Sequence, residues 1–540
     1  MIRTRPWIAV LPSLLAAVLL TTSCSTRDEK ATRTTSSETD TESHTKPGSS
    51  SDRPAQPGDQ PIASAALAEA TDKGTDKTPG KTSETPATAV TPSARRVELA
   101  ADPGGSAGKA LWLRRMGSMG KDSARGVAVD HQGNVALTGY YSDGADLGDG
   151  SSVAAQNVDV FVAKYGPGGD QVWSAHAGGK GEDVGNAVAF DPQGNVIIVG
   201  LFTDRVAIGQ TILAGAGSDD AFIAKFGPDG TVLWARQLGG IDSDAAYHVA
   251  ASSSSIVVTG SFKGSMRAAD VTLTSKGNED IFLLALDPDG DLRWIKQFGY
   301  RYKDYGQRVA IDSRGNIVLL TEFTGQIAFG GPTLQARGNR DLALVKLDGQ
   351  GRHIWSRRYG SLFDELGLGL AVDPAGNIAI TGSFDNEIDF GGDKLSSQGE
   401  SDIFVARFDP SGAHLWSRAY GSARQDVGIA IAADVYGNVI AGGWFWNKVD
   451  FGGGALESAN HNKDGFLIKL SVNGEHLWSQ RLGDRDHDQV RGLAAARDGR
   501  VAACGIFRFT LKMGNQTVQS ARKSQDRAPP PDAFVALFGR

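Results

Sequence analysis

Cysteine is almost absent from this chain: its 540 residues hold only Cys24 and Cys504. That excludes a fold stapled by disulfides. Cys504 lies in the apolar run AACGIF and reads as a free structural thiol, with nothing nearby to activate a thiolate. The chain also has no excess of basic charge; a formal net charge of -7 argues against nucleic acid as a partner. Residues 25–105 contain no Phe, Trp or Tyr. Finally, no G-x-S-x-G elbow, paired-carboxylate motif or Cys-His arrangement stands out from the rest, so no catalytic residue is assigned and the protein is expected not to be an enzyme.

Long hydrophobic runs are missing too. The longest near the start, Ile8 to Leu20, is interrupted by Pro12 and follows Arg3 and Arg5. A run that short with a basic start predicts a signal peptide over 1–23 rather than a membrane span. The following Thr21-Thr22-Ser23-Cys24 resembles a bacterial lipobox, with Thr21 where that motif usually has Leu. The resemblance implies lipidation at Cys24 and membrane attachment through that lipid, and Ser25 after the cysteine implies the outer membrane or cell surface. Residues 24–105, rich in Ser, Thr and Pro, cannot bury enough apolar surface to offset their ordering entropy and are expected to form a disordered tether. As a flexible coil it would span on the order of 50 Å.

Beyond the tether the chain keeps time. Trp112, Trp173, Trp234, Trp294, Trp355, Trp416 and Trp478 are 61, 61, 60, 61, 61 and 62 residues apart. One aspartate series follows these strands at Asp122, Asp183, Asp244, Asp304, Asp364, Asp426 and Asp488, and another precedes an apolar run at Asp159, Asp220, Asp280, Asp341, Asp402, Asp464 and Asp532. Within a unit, β-branched and aromatic runs alternate with turns such as DPAGN and DPSG, which are hairpin signals. Four antiparallel strands at a period near 60, repeated, predict an all-β, seven-bladed β-propeller of four-stranded blades over 106–540. The last unit stops at its third strand, DAFVALFGR, while the first Trp strand, KALWLRRMG, precedes any complete unit. The N-terminal strand is therefore expected to complete the last blade and close the ring. Each recurring Trp is assigned to the packing of one blade on the next.

The Trp strand, the D-x-x-G-N turns (130–134, 191–195, 312–316, 373–377, 434–438) and the D-x-F-type strand followed by Lys or Arg resemble the bacterial β-propeller repeat called SBBP. The resemblance implies a secreted or surface-attached scaffold and carries no common catalytic residue.

Loop lengths put the tight turns on one face of the disc and the longer, irregular loops on the other, where binding is expected. Three groups there break the repeat. Trp444, Trp446 and Asn447 stand in GGWFWNK, where Phe445 holds the core position and the tryptophans face the other way, as an aromatic platform for a sugar ring or a peptide side chain. Tyr300 and Tyr302 in YRYKDY form a second aromatic and basic candidate. Asp484, Asp486 and Asp488 alternate as the one acidic cluster to be considered for calcium, without the glycine and distal Glu of an EF-hand loop; no cofactor is otherwise expected. His353, His414 and His476 share one repeat position on separate blades, too far apart to ligate one metal. The reading is a lipid-anchored envelope propeller that binds surface proteins or glycans through its long-loop face. The alternative is an envelope enzyme, a glycan hydrolase or lyase, with carboxylates at the channel mouth.

Overall fold

The computed structural model describes residues 107–148, 150, 152–521 and 529–540. The signal segment, Cys24 and the tether expected over 24–105 lie outside the described residues. What is described is an all-β, propeller-like fold, built from one antiparallel meander used repeatedly.

The unit that starts at Glu365 shows the pattern. Glu365–Val372 pairs with Ile378–Phe384, then Asp402–Phe408, then His414–Tyr420. Each tight turn is wired by its own aspartate: Asp373 accepts the backbone N–H of Asn377 at 2.9 Å and its side-chain amide at 2.8 Å. That local bond is why Asp and Asn recur in these turns. Ile378–Phe384 and Asp402–Phe408 are buried at every position. The middle strands are covered on both faces by neighbouring sheets and accordingly read as continuous apolar runs.

The same order recurs from Tyr305 to Tyr359 and from Val427 to Leu482. Between Ser123 and Phe298, three such meanders merge into one twelve-stranded sheet. They merge because the fourth strands Gln171–Gly178 and Val232–Gly240 also pair with the long second strands of the following meanders. One further sheet joins the two ends of the described chain. Ala110–Met116 lies beside Asp532–Phe538, followed by Val501–Phe507 and Gln489–Ala495. The first strands of successive units also touch one another in order, and Gln489–Ala495 touches Ser123–Val129.

The recurring tryptophans do more than fill space. The indole N–H of Trp112, Trp173, Trp234, Trp294, Trp355 and Trp416 each donates to a backbone carbonyl in the third-to-fourth turn of the next unit, at 2.8 to 3.3 Å. Beneath each ring lies a turn glycine: Gly169, Gly230, Gly290, Gly351, Gly412 and Gly474, all at positive φ. A Cβ at those glycines would come within 2.7 to 3.2 Å of the indole, so both backbone and contact require glycine. Trp478 stacks in the same way on Gly108, at the start of the described chain. Trp112, Trp416 and Trp478 are buried and the other four are half-buried.

The third strands add a second clasp. Lys225 pairs with Asp191 at 2.9 Å and donates to Pro288 O in the next unit at 2.9 Å, and Lys346 repeats this with Asp312 and Pro410. Arg407 with Asp373 and Lys469 with Asp434 hold the same position. These ion pairs are buried and supplied with further acceptors, the condition under which such pairs do not cost stability. Lys225, Lys346 and Arg407, near the ends of their third strands, thus tie a unit's own turn to its neighbour's.

Candidate functional site

On the long-loop face each unit buries two carboxylates. Asp304 accepts the N–H of Tyr300 at 3.1 Å and of Thr324 at 3.2 Å, and Asp426 does the same with Ser422 and Trp446 at 2.7 Å each. The partner series, at the start of the third strands, accepts from the preceding loop: Lys276 N to Asp280, Gln398 N to Asp402. The carboxylates pin loops onto strand starts. In the unit beginning near residue 365 this role falls on Glu365, which takes the Ser361 N–H at 3.0 Å, and not on the half-exposed Asp364 expected from the sequence. The offset from the Trp is ten residues everywhere else, and Glu365 keeps it.

Burial dominates the electrostatics of these groups. Removal from water pushes Asp122, Asp183 and Asp304 up to about 7 and Asp244 and Glu365 up to about 8, with the third-strand carboxylate of the adjoining unit adding to the rise.

The proposed acidic cluster does not assemble. Asp486 pairs with His487 at 2.7 Å and Arg508 at 3.4 Å, Asp484 faces Lys512, and Asp488 accepts the N–H groups of Asp484 and Arg508. Alternate residues here serve separate cations and loops. Among the described residues no three His, Cys, Asp or Glu side chains converge as a metal site would require.

Trp444 is not a surface platform either: it is 3 % exposed and packs on Val427 and Ile429. It does face away from Phe445, but its strand is a middle strand, and its other face meets protein instead of water. Lys463 Nζ sits 3.8 Å from the Trp444 ring centroid, in cation–π contact, and burial lowers this ammonium to about 8. Trp446 is half-buried, flanked by Arg424 at 5.0 Å, Lys463 at 5.6 Å and the His487 ring at 6.0 Å. Asn447 takes a left-handed turn at φ 56° and its carbonyl accepts the Ser458 N–H. His353, His414 and His476 each bond a serine hydroxyl at 3.1 Å and pack against the second glycine of the AFGG or DFGG stretches. Those stretches are packing devices: Phe329, Phe390 and Phe451 are core. Cys504 is buried and its thiol is pushed up by burial, as befits a structural residue.

Tyr300 and Tyr302 do reach solvent, and they have company. Ile241 and Leu362 are each 76 % exposed, Tyr302 is 55 % exposed, and Tyr300 and Phe363 are also exposed. These five side chains occupy three successive fourth-to-first loops on the long-loop face. Sequence reasoning found the tyrosines and missed Ile241, Leu362 and Phe363; an apolar side chain in a loop otherwise built from Gly, Ser and Asp was the available signal. Large apolar residues clustered in solvent mark contact surfaces.

The geometry defines a repeat protein of the propeller type, and the family comparison agrees. Residues 293–321 match the family model SBBP, described as a Beta-propeller repeat. A WD repeat-containing protein of Acanthamoeba polyphaga mimivirus is 22% identical, covering 74% of this chain and 30% of its own length. The Regulatory protein FlaEY of Caulobacter vibrioides is 27% identical, covering 74% and 38%. The chain therefore spans about a third of the length of these curated relatives. Among solved structures, the Pan2 WD40 domain of Neurospora crassa is similar at 10% identity and a TM-score of 0.40, covering 77% of this chain and 89% of that one.

Proposed function

We propose that the described residues form a closed seven-bladed propeller that acts as a non-enzymatic binding scaffold, held at the bacterial envelope by a lipid on Cys24. Closure is supported by the contact of the last inner strand with the first and by Gly108 taking the turn-glycine place under Trp478. The observation that carries the binding role is the apolar run Ile241, Tyr300, Tyr302, Leu362 and Phe363 on adjacent loops of one face. Aliphatic side chains mixed with tyrosine suit the apolar anchors of a protein partner better than the face of a sugar ring. Descriptions of the relatives as WD repeat-containing and regulatory fit a scaffold, though their greater length leaves room for activities this chain does not share.

Replacing Ile241, Leu362 and Phe363 together by Ser is expected to abolish capture of an envelope protein that the wild-type full chain retains, with an unchanged urea midpoint because these side chains are already in water. Capture that persists in the triple variant would remove this face from consideration. Anchoring is tested separately by Cys24→Ala, which is expected to move the protein from the membrane to the soluble fraction; continued membrane retention would contradict lipidation.

A further inference from the structure

The first, inner strands of the units line a cavity of about 60 Å³ whose lining departs from the repeat. Three residues past each loop-face carboxylate stand Arg125, Asn186, Tyr247, Gln307, Leu368, Ile429 and Arg491. In every unit this position is a β-bulge, between Ala124 and Gly126 for example, so its side chain leaves the ladder, while His248 and Arg308 stand one residue after the bulge. Arg491, Arg125, Asn186, His248 and Arg308 line the cavity from five successive inner strands, and Leu370, Ile429 and Ile431 line it from the remaining two. One wall is basic and the opposite wall is apolar.

The guanidiniums on this wall have donors to spare. Arg125 donates to Asn186 Oδ1 at 2.7 Å and lies over the Tyr140 ring at 5.1 Å, Tyr140 also being a hydrogen-bond partner of both Arg125 and Arg491, and the Arg125 Nε is buried with no partner. Arg491 donates to Ser123 Oγ at 2.9 Å and more distantly to Gln489, and is 6 % exposed. Arg308 donates to the Gln307 carbonyl at 2.8 Å. Among the described residues none of the three is in a salt bridge. Glu322, whose charge attracts Arg308, is itself held by Arg340 at 3.2 Å and by the Gly367 N–H at 3.1 Å. His248 adds no charge, since burial and Arg308 lower it to about 3. Arginine cannot shed its proton, so this wall keeps three positive charges around one cavity, Arg491 buried and Arg125 and Arg308 half-buried. Burying charge without a counter-charge is costly unless the site is made for one.

We propose that this central cavity binds a small oxyanion, a carboxylate or phosphate group, on the forks of Arg125, Arg308 and Arg491. Planar guanidiniums match such groups through paired N–H donors. The cavity is several times the ~10–15 Å³ that one water needs, enough for a small oxyanion and too small for a sugar chain. The proposal is independent of the long-loop face and of any partner there.

The test is thermal unfolding of the full chain with inorganic phosphate or malonate titrated against sodium chloride at constant ionic strength. A saturable rise in Tm is expected, about 3 °C at a hundredfold excess over the dissociation constant. The variant Arg125→Gln, Arg491→Gln is expected to lose that rise. Whether it is phosphate or malonate that saturates at lower concentration identifies the preferred oxyanion. A rise that matches chloride, never saturates, or survives in the variant would overturn the proposal. Should the variant not fold, phosphorus NMR on the wild type decides: the phosphate line is expected to broaden with protein and sharpen again with malonate, and a line unaffected by protein overturns the site.

Discussion

Deleting residues 107–116 is expected to cost on the order of 6 kcal/mol of folding stability, comparable to the whole margin of an ordinary domain. The strand Ala110–Met116 buries Trp112, Leu113 and Met116, each to 5 % exposure or less. At about 1.5–3 kcal/mol for each large apolar side chain, these alone approach that figure. The deletion also strips the ladder from Asp532–Phe538, leaves Asp532 without Arg115 at 3.0 Å, and takes Gly108 from beneath Trp478. An apolar strand buried at every position would become an open edge, prone to pairing with other chains. Urea unfolding reads the loss directly, and a synthetic peptide of the deleted residues should restore the midpoint in a concentration-dependent way, as mass action requires. An unchanged midpoint in the deleted protein would dismiss the closure.

The second large effect is on pH. In the unfolded chain the loop-face carboxylates release their protons near their ordinary values of 3.8 and 4.5. In the folded chain burial holds Asp426 and Asp464 to about 6, Asp122, Asp183 and Asp304 to about 7, and Asp244 and Glu365 to about 8. Between pH 5 and 7 the folded state therefore binds more protons than the unfolded state, and stability falls as pH rises. One extra proton is worth about 1.4 kcal/mol per pH unit. Several groups acting together should give a slope of at least about 2 kcal/mol per pH unit. His248 opposes this below 6.5, because it must charge on unfolding, but it is a single group against many. The protein is thus expected to melt higher at pH 5.5 than at pH 8, the reverse of a protein held by ionised salt-bridged carboxylates. Asp244→Asn, neutral and of the same shape, should flatten the slope by about one proton. Equal stability at the two pH values would show that the buried carboxylates are charged in the fold.

The repeat made most of this architecture readable. A tryptophan every 60 or so residues and Asp-x-x-Gly-Asn turns survive any blurring of strand boundaries, because packing and turn chemistry demand the same residue each time. What could not be read depends on which surface a side chain finds. Trp444 was assigned to the correct face of its strand, yet that face meets the inner strand residues Val427 and Ile429. Asp364 stands beside Glu365, and only the spacing from Trp355 tells them apart. Ile241 and Leu362 are about 120 residues apart and come onto one face only because the fourth-to-first loops of successive units share it. Arg125, Arg308 and Arg491 look like ordinary strand arginines until bulged inner strands turn toward one axis.

At Gly108 the Gly539 N–H meets the Lys109 carbonyl at 2.9 Å, in the place where the other units have a continuous third-to-fourth turn. A circular permutant that links 540 to 107 and opens another third-to-fourth turn would assemble the same contacts in a rotated order, with its loose seam moved to a unit of the experimenter's choosing.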